Sequence, residues 1–230
     1  MTRVKGYGQY CPIAVACEIL TERWTPLVVR ELLSGSTHFN DLRRGVPLMS
    51  PTLLSKRLKT LERVGIVERV DTDASRAVEY HLTPAGHALR PIVDALATWG
   101  LAWRSDGLLE PANLDAALLM WDIRRSVVTD SVPDRRVVAH FHLTGSTSKK
   151  DRFWLVIDDG DVDLCLTDPG FDVDLYVDCH VRVMVSYWLG RTEVTEAVRA
   201  GELRLTGDRA LVRDFPTWFR RSPLVVSATA

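Results

Sequence analysis

The sequence predicts an α+β protein in two parts: a mostly helical N-terminal half carrying a β-hairpin, and a C-terminal antiparallel sheet covered by helices on one face. Three observations predict it. Ser50 to Gly65 has the pattern of an amphipathic helix, with a hairpin pattern directly behind it. From Ala139 onward, four segments alternate apolar and polar residues with a period of two, as half-buried strands do. Between these two grammars lie Gly107, Pro111 and Asn113, which interrupt either kind of element. At 230 residues the chain is long for one compact core and sufficient for two. The expected organisation is residues 1–106 as one domain, 107–113 as a linker and 114–221 as a second domain.

In the first part, Ile13 to Leu20 reads as a short helix with Pro12 in its first turn, where a missing N–H costs nothing. Trp24 to Leu33 is a second helical run ended by Ser34-Gly35-Ser36, and Phe39 to Arg44 fits one or two turns stopped by Gly45. Ser50-Pro51 then supplies an N-cap and a first-turn proline. Leu54, Leu58 and Leu61 repeat at helical spacing behind it, while Thr52, Lys56, Lys59 and Arg63 fall on the opposite face. Ile66 to Val70 and Val78 to Leu82 read as strands around a polar turn, and Thr83-Pro84 opens a long helix to about Trp103.

In the second part, Leu114 to Val127 is a helix candidate. The alternating segments run through Ala139–Leu143, Phe153–Ile157, Val162–Leu166 and Val173–Val177, with Asp159-Gly160 as a hairpin turn. Helical patterns return at Val181–Leu189 and Val194–Val198. A short strand from Glu202 to Leu205 and a last helix from Leu211 to Phe219 complete the chain.

Composition narrows the class. No apolar stretch approaches the roughly 20 residues of a membrane span, and the polar N-terminus does not read as a secretory signal, so a cytoplasmic location with no membrane partner is expected. Cys11, Cys17, Cys165 and Cys179 are scattered, with no C-x-x-C pair and no metal-ligand spacing, and a disulfide framework is not expected at this size in a reducing compartment. The net charge of −1 is unevenly placed: up to Ser105 basic residues exceed acidic ones by four, and beyond it acidic residues lead by five. A basic front half suits a DNA-reading module joined to a part that does not touch DNA.

A helix-turn-helix followed by a hairpin buries one face of its amphipathic helix and offers the other to the major groove of double-stranded DNA. Ser50, Thr52, Lys56 and Lys59 are placed in or over the groove, with short hydroxyl side chains permitting close approach and lysines meeting phosphates. Arg57 lies near the border of the leucine stripe, suited to a phosphate contact, and Arg76 at the hairpin tip would reach an adjacent minor groove or phosphate. Any one of these cations is as well explained by a solvated helix face; the arrangement of cap, stripe and hairpin together is not.

These residues resemble the HxlR-type family, a branch of the MarR-like winged helix regulators. The resemblance rests on Cys11-Pro12, Arg23-Trp24, Phe39-Asn40-Asp41-Leu42, Ser50 to Leu61 (SPTLLSKRLKTL), Gly65-Ile66-Val67, Val78-Glu79-Tyr80, Leu82-Thr83 and Trp99-Gly100. It covers about the first 105 residues and implies a homodimer joined through the first and last helices of the module, with two recognition helices on a pseudo-palindromic operator. One departure is that Thr21 and Glu22 stand where such families usually carry two glycines. In several members a cysteine at the place of Cys11 senses oxidants. Here Cys11 is open to that reading, its thiolate favoured by the adjoining helix dipole, or to a packing role before Pro12.

The stretch from Val173 to Gly207-Asp208, including Leu189-Gly190 and Gly201-Glu202-Leu203-Arg204-Leu205-Thr206-Gly207-Asp208, is similar to the end of a sterol-carrier-protein-like domain. That resemblance implies a five-stranded sheet roofed by helices around an apolar tunnel for a small-molecule ligand. Phe141, Phe153, Leu155, Tyr176, Met184, Tyr187, Trp188 and Trp218 are candidates to line the tunnel, or else simply to fill the core. His140 and His142 read as solvated strand histidines rather than metal ligands, and the aspartates from Asp158 to Asp163 as a hairpin tip without calcium-loop offsets. No cofactor or metal is implied. The chain lacks a nucleophile elbow, an H-E-x-x-H helix, a phosphate loop and a G-x-G-x-x-G turn, so an enzyme is not expected. A dimeric transcription regulator, modulated through the second domain, is the first reading. The alternatives are a ligand carrier whose winged helix serves protein contacts, and a redox-sensing regulator acting through Cys11.

Overall fold

A computed structural model describes residues 6–72 and 77–222, and its contacts divide the chain into two units, Met1–Leu96 and Ala97–Ala230. The first unit contains α1 (Pro12–Leu20), α2 (Thr25–Leu33), α3 (Phe39–Gly45), α4 (Pro51–Arg63), the hairpin β1 (Val67–Thr72) and β2 (Ala77–Leu82), α5 (Pro84–His87) and the start of α6 (Arg90–Trp103). Val28, Val29 and Leu32 of α2, Leu42 of α3, and Leu54, Leu58 and Leu61 of α4 close one core with Ile66, Val67 and Leu82 of the hairpin. The hairpin pairs Val67 with Leu82 through Thr72 with Ala77. Tyr80 donates its N–H to the Thr37 carbonyl at 2.8 Å, which ties the entry of α3 to β2.

The single helix expected from Thr83 to Trp103 is two. Thr83 caps α5 through its hydroxyl, which accepts from the Gly86 N–H at 3.2 Å, and the chain then turns at Ala88-Leu89 before α6 begins. Pro91 is the reason: it has no N–H to continue the first helix and disfavours helical geometry at the residue before it, but it is well tolerated in the first turn of a new helix.

A buried carboxylate holds the corner of α2 and α3. Glu31 is fully buried and accepts from Arg30 Nε at 3.1 Å and Nη2 at 2.7 Å, while the same Nη2 donates to the Gly45 carbonyl at 2.8 Å. Gly45 leaves room for this arrangement, since a Cβ there would lie 1.9 Å from Glu31 Cδ. Gly45→Ala is therefore expected to destabilise the first unit by about 1–3 kcal/mol, the usual cost of overpacking. A shift of its denaturation midpoint measures this, and an unchanged midpoint would mean that the corner yields.

The second unit holds α7 (Ala116–Arg124), β3 (Val137–Thr144), β4 (Arg152–Asp158), β5 (Asp161–Cys165), β6 (Leu175–His180), α8 (Val181–Trp188), α9 (Val194–Arg199), β7 (Leu203–Gly207) and α10 (Arg209–Asp214). Carboxylates fix two of the helix starts: Asp115 accepts from the N–H groups of Ala117 and Leu118, and Asp208 from those of Ala210 and Leu211. Asp159 and Gly160 both adopt positive φ, 49° and 79°, as a two-residue hairpin turn requires.

The strands form one sheet in the order β5-β4-β3-β6-β7. It is mixed rather than antiparallel, because β3 and β6 run parallel. The chain leaves β5 at one edge and returns along the 166–174 connection to the far side of β3, a crossover that turns β6 into a parallel neighbour. Alternation along a strand specifies which face is buried and not which strand lies alongside. Val137, Ala139, Phe141 and Leu143 of β3 share a core with Leu175 and Val177 of β6 and with Met120, Ile123, Met184, Ala197 and Leu211 from four helices.

Candidate nucleic-acid interface

α4 is positioned from both ends of its sequence pattern. Ser50 Oγ accepts from the Leu53 N–H at 3.3 Å and Pro51 opens the helix, so the first turn is rigidly set. Leu54, Leu58 and Leu61 are buried, leaving Thr52, Lys56, Lys59 and Arg63 exposed along the other side. Those four line a groove of about 990 Å³ whose opposite wall is formed by Glu18 and Ile19 of α1 and by Glu22. Thr52, Lys56 and Lys59 are thus brought together on one groove, while Ser50 is exposed at the N-cap of α4 and does not line it. Arg76, expected at the hairpin tip, lies outside the described residues.

Arg57 departs from the sequence expectation. Its side chain is only 11% exposed, turned toward the α1–α2 turn, where Nη2 donates to Glu22 Oε2 at 2.7 Å. Its Nε is buried and, among the described residues, finds no acceptor. The sequence pattern places Arg57 at the border of the leucine stripe and gives no partner for it; Glu22, one of the two residues standing where such families usually carry glycines, is that partner. An acidic residue at that turn and an arginine within an apolar stripe were the available signals.

The helices flanking the module leave apolar surface open. Ile92, Leu96, Trp99 and Trp103 of α6 are exposed at spacings of three and four residues, with Leu96 at 54% and Trp99 at 59%, and Ile13 of α1 is exposed as well. Cys11 occupies the N-cap position of α1 with extended backbone, half-buried and without a side-chain cap bond.

In the second unit, Phe141, Phe153, Leu155, Met184, Tyr187 and Trp218 are buried in the single core, and Trp188 packs against it. Phe215 and Phe219 stand 6.2 and 6.4 Å from the Phe141 ring, filling the space beside it. Tyr176 does not join them. It lies between the inward-facing Leu175 and Val177, so the pleat turns it to the opposite face of the sheet, where it is 43% exposed. There it meets His140 across the ladder, ring centroids 5.7 Å apart, with Trp154 at 4.9 Å on the other side. His140 is consequently buried rather than solvated, and its pKa falls below the ordinary histidine value through desolvation first and the Arg152 charge second. His142 Nδ1 faces Asp178 Oδ1 at 3.2 Å. Cys179 has a thiol pushed up to about 12, chiefly by burial and further by the Asp178 charge, so it is not a thiolate at neutral pH. Among the described residues no group of three or more histidine, cysteine or acidic side chains is placed to hold a metal ion, and no helix is long and apolar enough to cross a membrane.

Comparison with known proteins places the first part of the chain. The family model described as HxlR-like helix-turn-helix matches residues 19–107. An uncharacterised HTH-type transcriptional regulator of Bacillus subtilis, YvaP, is 38% identical over 110 residues, which cover 47% of this chain and 97% of the relative. Another of that description, from Methanothermobacter thermautotrophicus, is 33% identical over 102 residues, 44% of this chain and 78% of its own length. Among solved structures, the reduced form of the transcriptional regulator YodB from B. subtilis shares 31% identity over 43% of this chain and 99% of its own, with a TM-score of 0.38. With nearly the whole of YvaP aligned on it, the chain belongs to the HxlR-like helix-turn-helix family.

Proposed function

We propose that the protein is a dimeric, sequence-specific DNA-binding transcription regulator that reads a pseudo-palindromic operator with α4. The observation that carries the reading is the capped helix α4, buried on its leucine face and presenting Thr52, Lys56 and Lys59 to solvent just before a β-hairpin. The relatives' description as transcriptional regulators supports it. Ser50, Thr52, Lys56 and Lys59 are the proposed contacts, the lysines to phosphates and the hydroxyls to base edges or backbone. The proposed dimer covers the exposed apolar residues of α6 and α1 with those of a second copy, which sets two α4 helices on half-sites about 34 Å apart. The domain arrangement that accompanies this reading is 1–106 for DNA and dimer contacts, 107–113 as linker and 114–221 as the additional α+β domain. An apolar effector or a sensing thiol at Cys11 is not needed for this reading; of the residues named for an effector cavity, Phe141, Phe153, Leu155, Met184, Tyr187 and Trp218 fill the core of the second unit.

The test uses duplexes recovered by sequencing DNA that co-purifies with the protein. Changing Lys56 and Lys59 together to alanine is expected to weaken binding roughly tenfold at about 0.1 M salt. It should also flatten the slope of log affinity against log salt by about 0.9 for each lost phosphate contact. A parent protein that binds no duplex, or a double variant with an unchanged salt slope, would remove the basis of this reading.

A further inference from the structure

The Arg57–Glu22 pair joins the proposed reading helix to the turn between α1 and α2, which are 35 residues apart in sequence, at an Nη2–Oε2 distance of 2.7 Å. The two partners are unequally placed. Glu22 is half exposed on the groove wall, whereas Arg57 is almost covered and leaves its Nε without an acceptor among the described residues. Arginine is otherwise the side chain best suited to phosphate, with a planar fork of donors on a long stem. Here Nη2 of that fork is held by a carboxylate on the wall of the same groove that Lys56, Lys59 and Arg63 line, one residue away from the exposed Lys56. A phosphate approaching the groove would have to displace Glu22 to use Arg57, and would meet the carboxylate charge while doing so.

We infer that Glu22 is a positioning residue that withholds Arg57 from DNA, setting both the strength and the salt sensitivity of binding by α4. The inference rests on the DNA-binding reading above. Removing the carboxylate leaves no cavity, because Glu22 is at the surface; it frees a guanidinium whose stem is long enough to bring it to the mouth of the groove. Each protomer then gains one cation for the phosphate backbone.

The experiment measures duplex affinity across a salt series for the parent protein, Glu22→Ala, Arg57→Met and the double variant. Methionine keeps the packed stem of Arg57 and removes only the charged fork. Glu22→Ala is expected to bind three- to tenfold more tightly at about 0.1 M salt, with a slope steeper by about 0.9 per occupied half-site. Arg57→Met alone should retain the parental slope, and the double variant should return to it. The slope counts engaged cations, so a merely structural loosening of the turn would not move it in this pattern. The inference is overturned by a Glu22→Ala slope equal to the parent's. It is equally overturned by a shallower slope in Arg57→Met alone, which would show that Arg57 already touches phosphate. A double variant that keeps the steeper slope would show plain loss of a negative charge instead. These failures differ from failure of the DNA reading itself, in which the parent shows no duplex binding and the lysine double variant behaves as the parent does.

Discussion

Leu96→Glu combined with Trp99→Glu is expected to leave the protein monomeric and to lower operator affinity at least a hundredfold. Both residues belong to the apolar stripe that α6 exposes, Ile92, Leu96, Trp99 and Trp103, and a stripe of that size on a helix needs a cover. Burying a tryptophan and a leucine from each of two copies contributes several kcal/mol by area alone, at about 25 cal/mol per Å². Glutamates at these positions replace that gain with carboxylates that would have to be desolvated against one another, costing roughly several kcal/mol more. Half-sites bound by separate monomers also lose the advantage of a second, effectively intramolecular contact. Sedimentation of the variant decides the first half of this expectation and duplex titration the second. A variant that sediments as the parent does would show that α6 is covered by something other than a second copy. A monomer that binds with parental affinity would show that dimerisation is not needed for DNA.

Phe141→Ala is expected to cost the second unit about 3–5 kcal/mol, the range for deleting a buried phenylalanine. Phe141 is fully buried at the centre of β3, with Phe215 and Phe219 packed near its ring. Trimming it leaves a void that side chains held by three neighbouring elements cannot close. Hydrogen exchange reads the outcome by region: amides of β3, β4 and β6 should lose protection while those of α4 in the first unit keep theirs. The same variant separates packing from ligand lining. If Phe141 instead bordered a cavity open to water, the void would fill with solvent and only the transfer of its ring would be lost, about 1.5–3 kcal/mol. A loss in that lower range would support an apolar effector and a sensor role for the second unit.

The parts of the structure legible in the chain are those whose causes are local. Ser50 caps α4 and Pro51 opens it because the two residues adjoin the helix they start, and the leucine stripe follows from 3.6 residues per turn. Asp159-Gly160 turns the hairpin because their own backbone preferences allow positive φ. Two differences were within reach of the same local rules. Pro91 is enough to divide the helix expected after Thr83, and a period of two is enough to separate Tyr176 from Leu175 and Val177.

What could not be read from local pattern is which distant groups meet. His140 was expected in solvent, and it is buried because Trp154 and Tyr176 reach over it from neighbouring strands. The parallel pairing of β3 with β6 depends on how the connection after β5 crosses the sheet, for which alternation carries no information.

The sequence by itself determined the helix-turn-helix with its hairpin, the family, and the exposed surface from Ser50 to Lys59, since all of these rest on spacing within one element or between adjacent ones. Only the tertiary structure decided the position of Arg57. On the helix it borders the basic face, but the turn carrying Glu22 folds back beside it and places a carboxylate 2.7 Å from its guanidinium. A charge takes the partner that folding brings near it, because electrostatic attraction in a partly desolvated site depends on distance in space and not on distance along the chain.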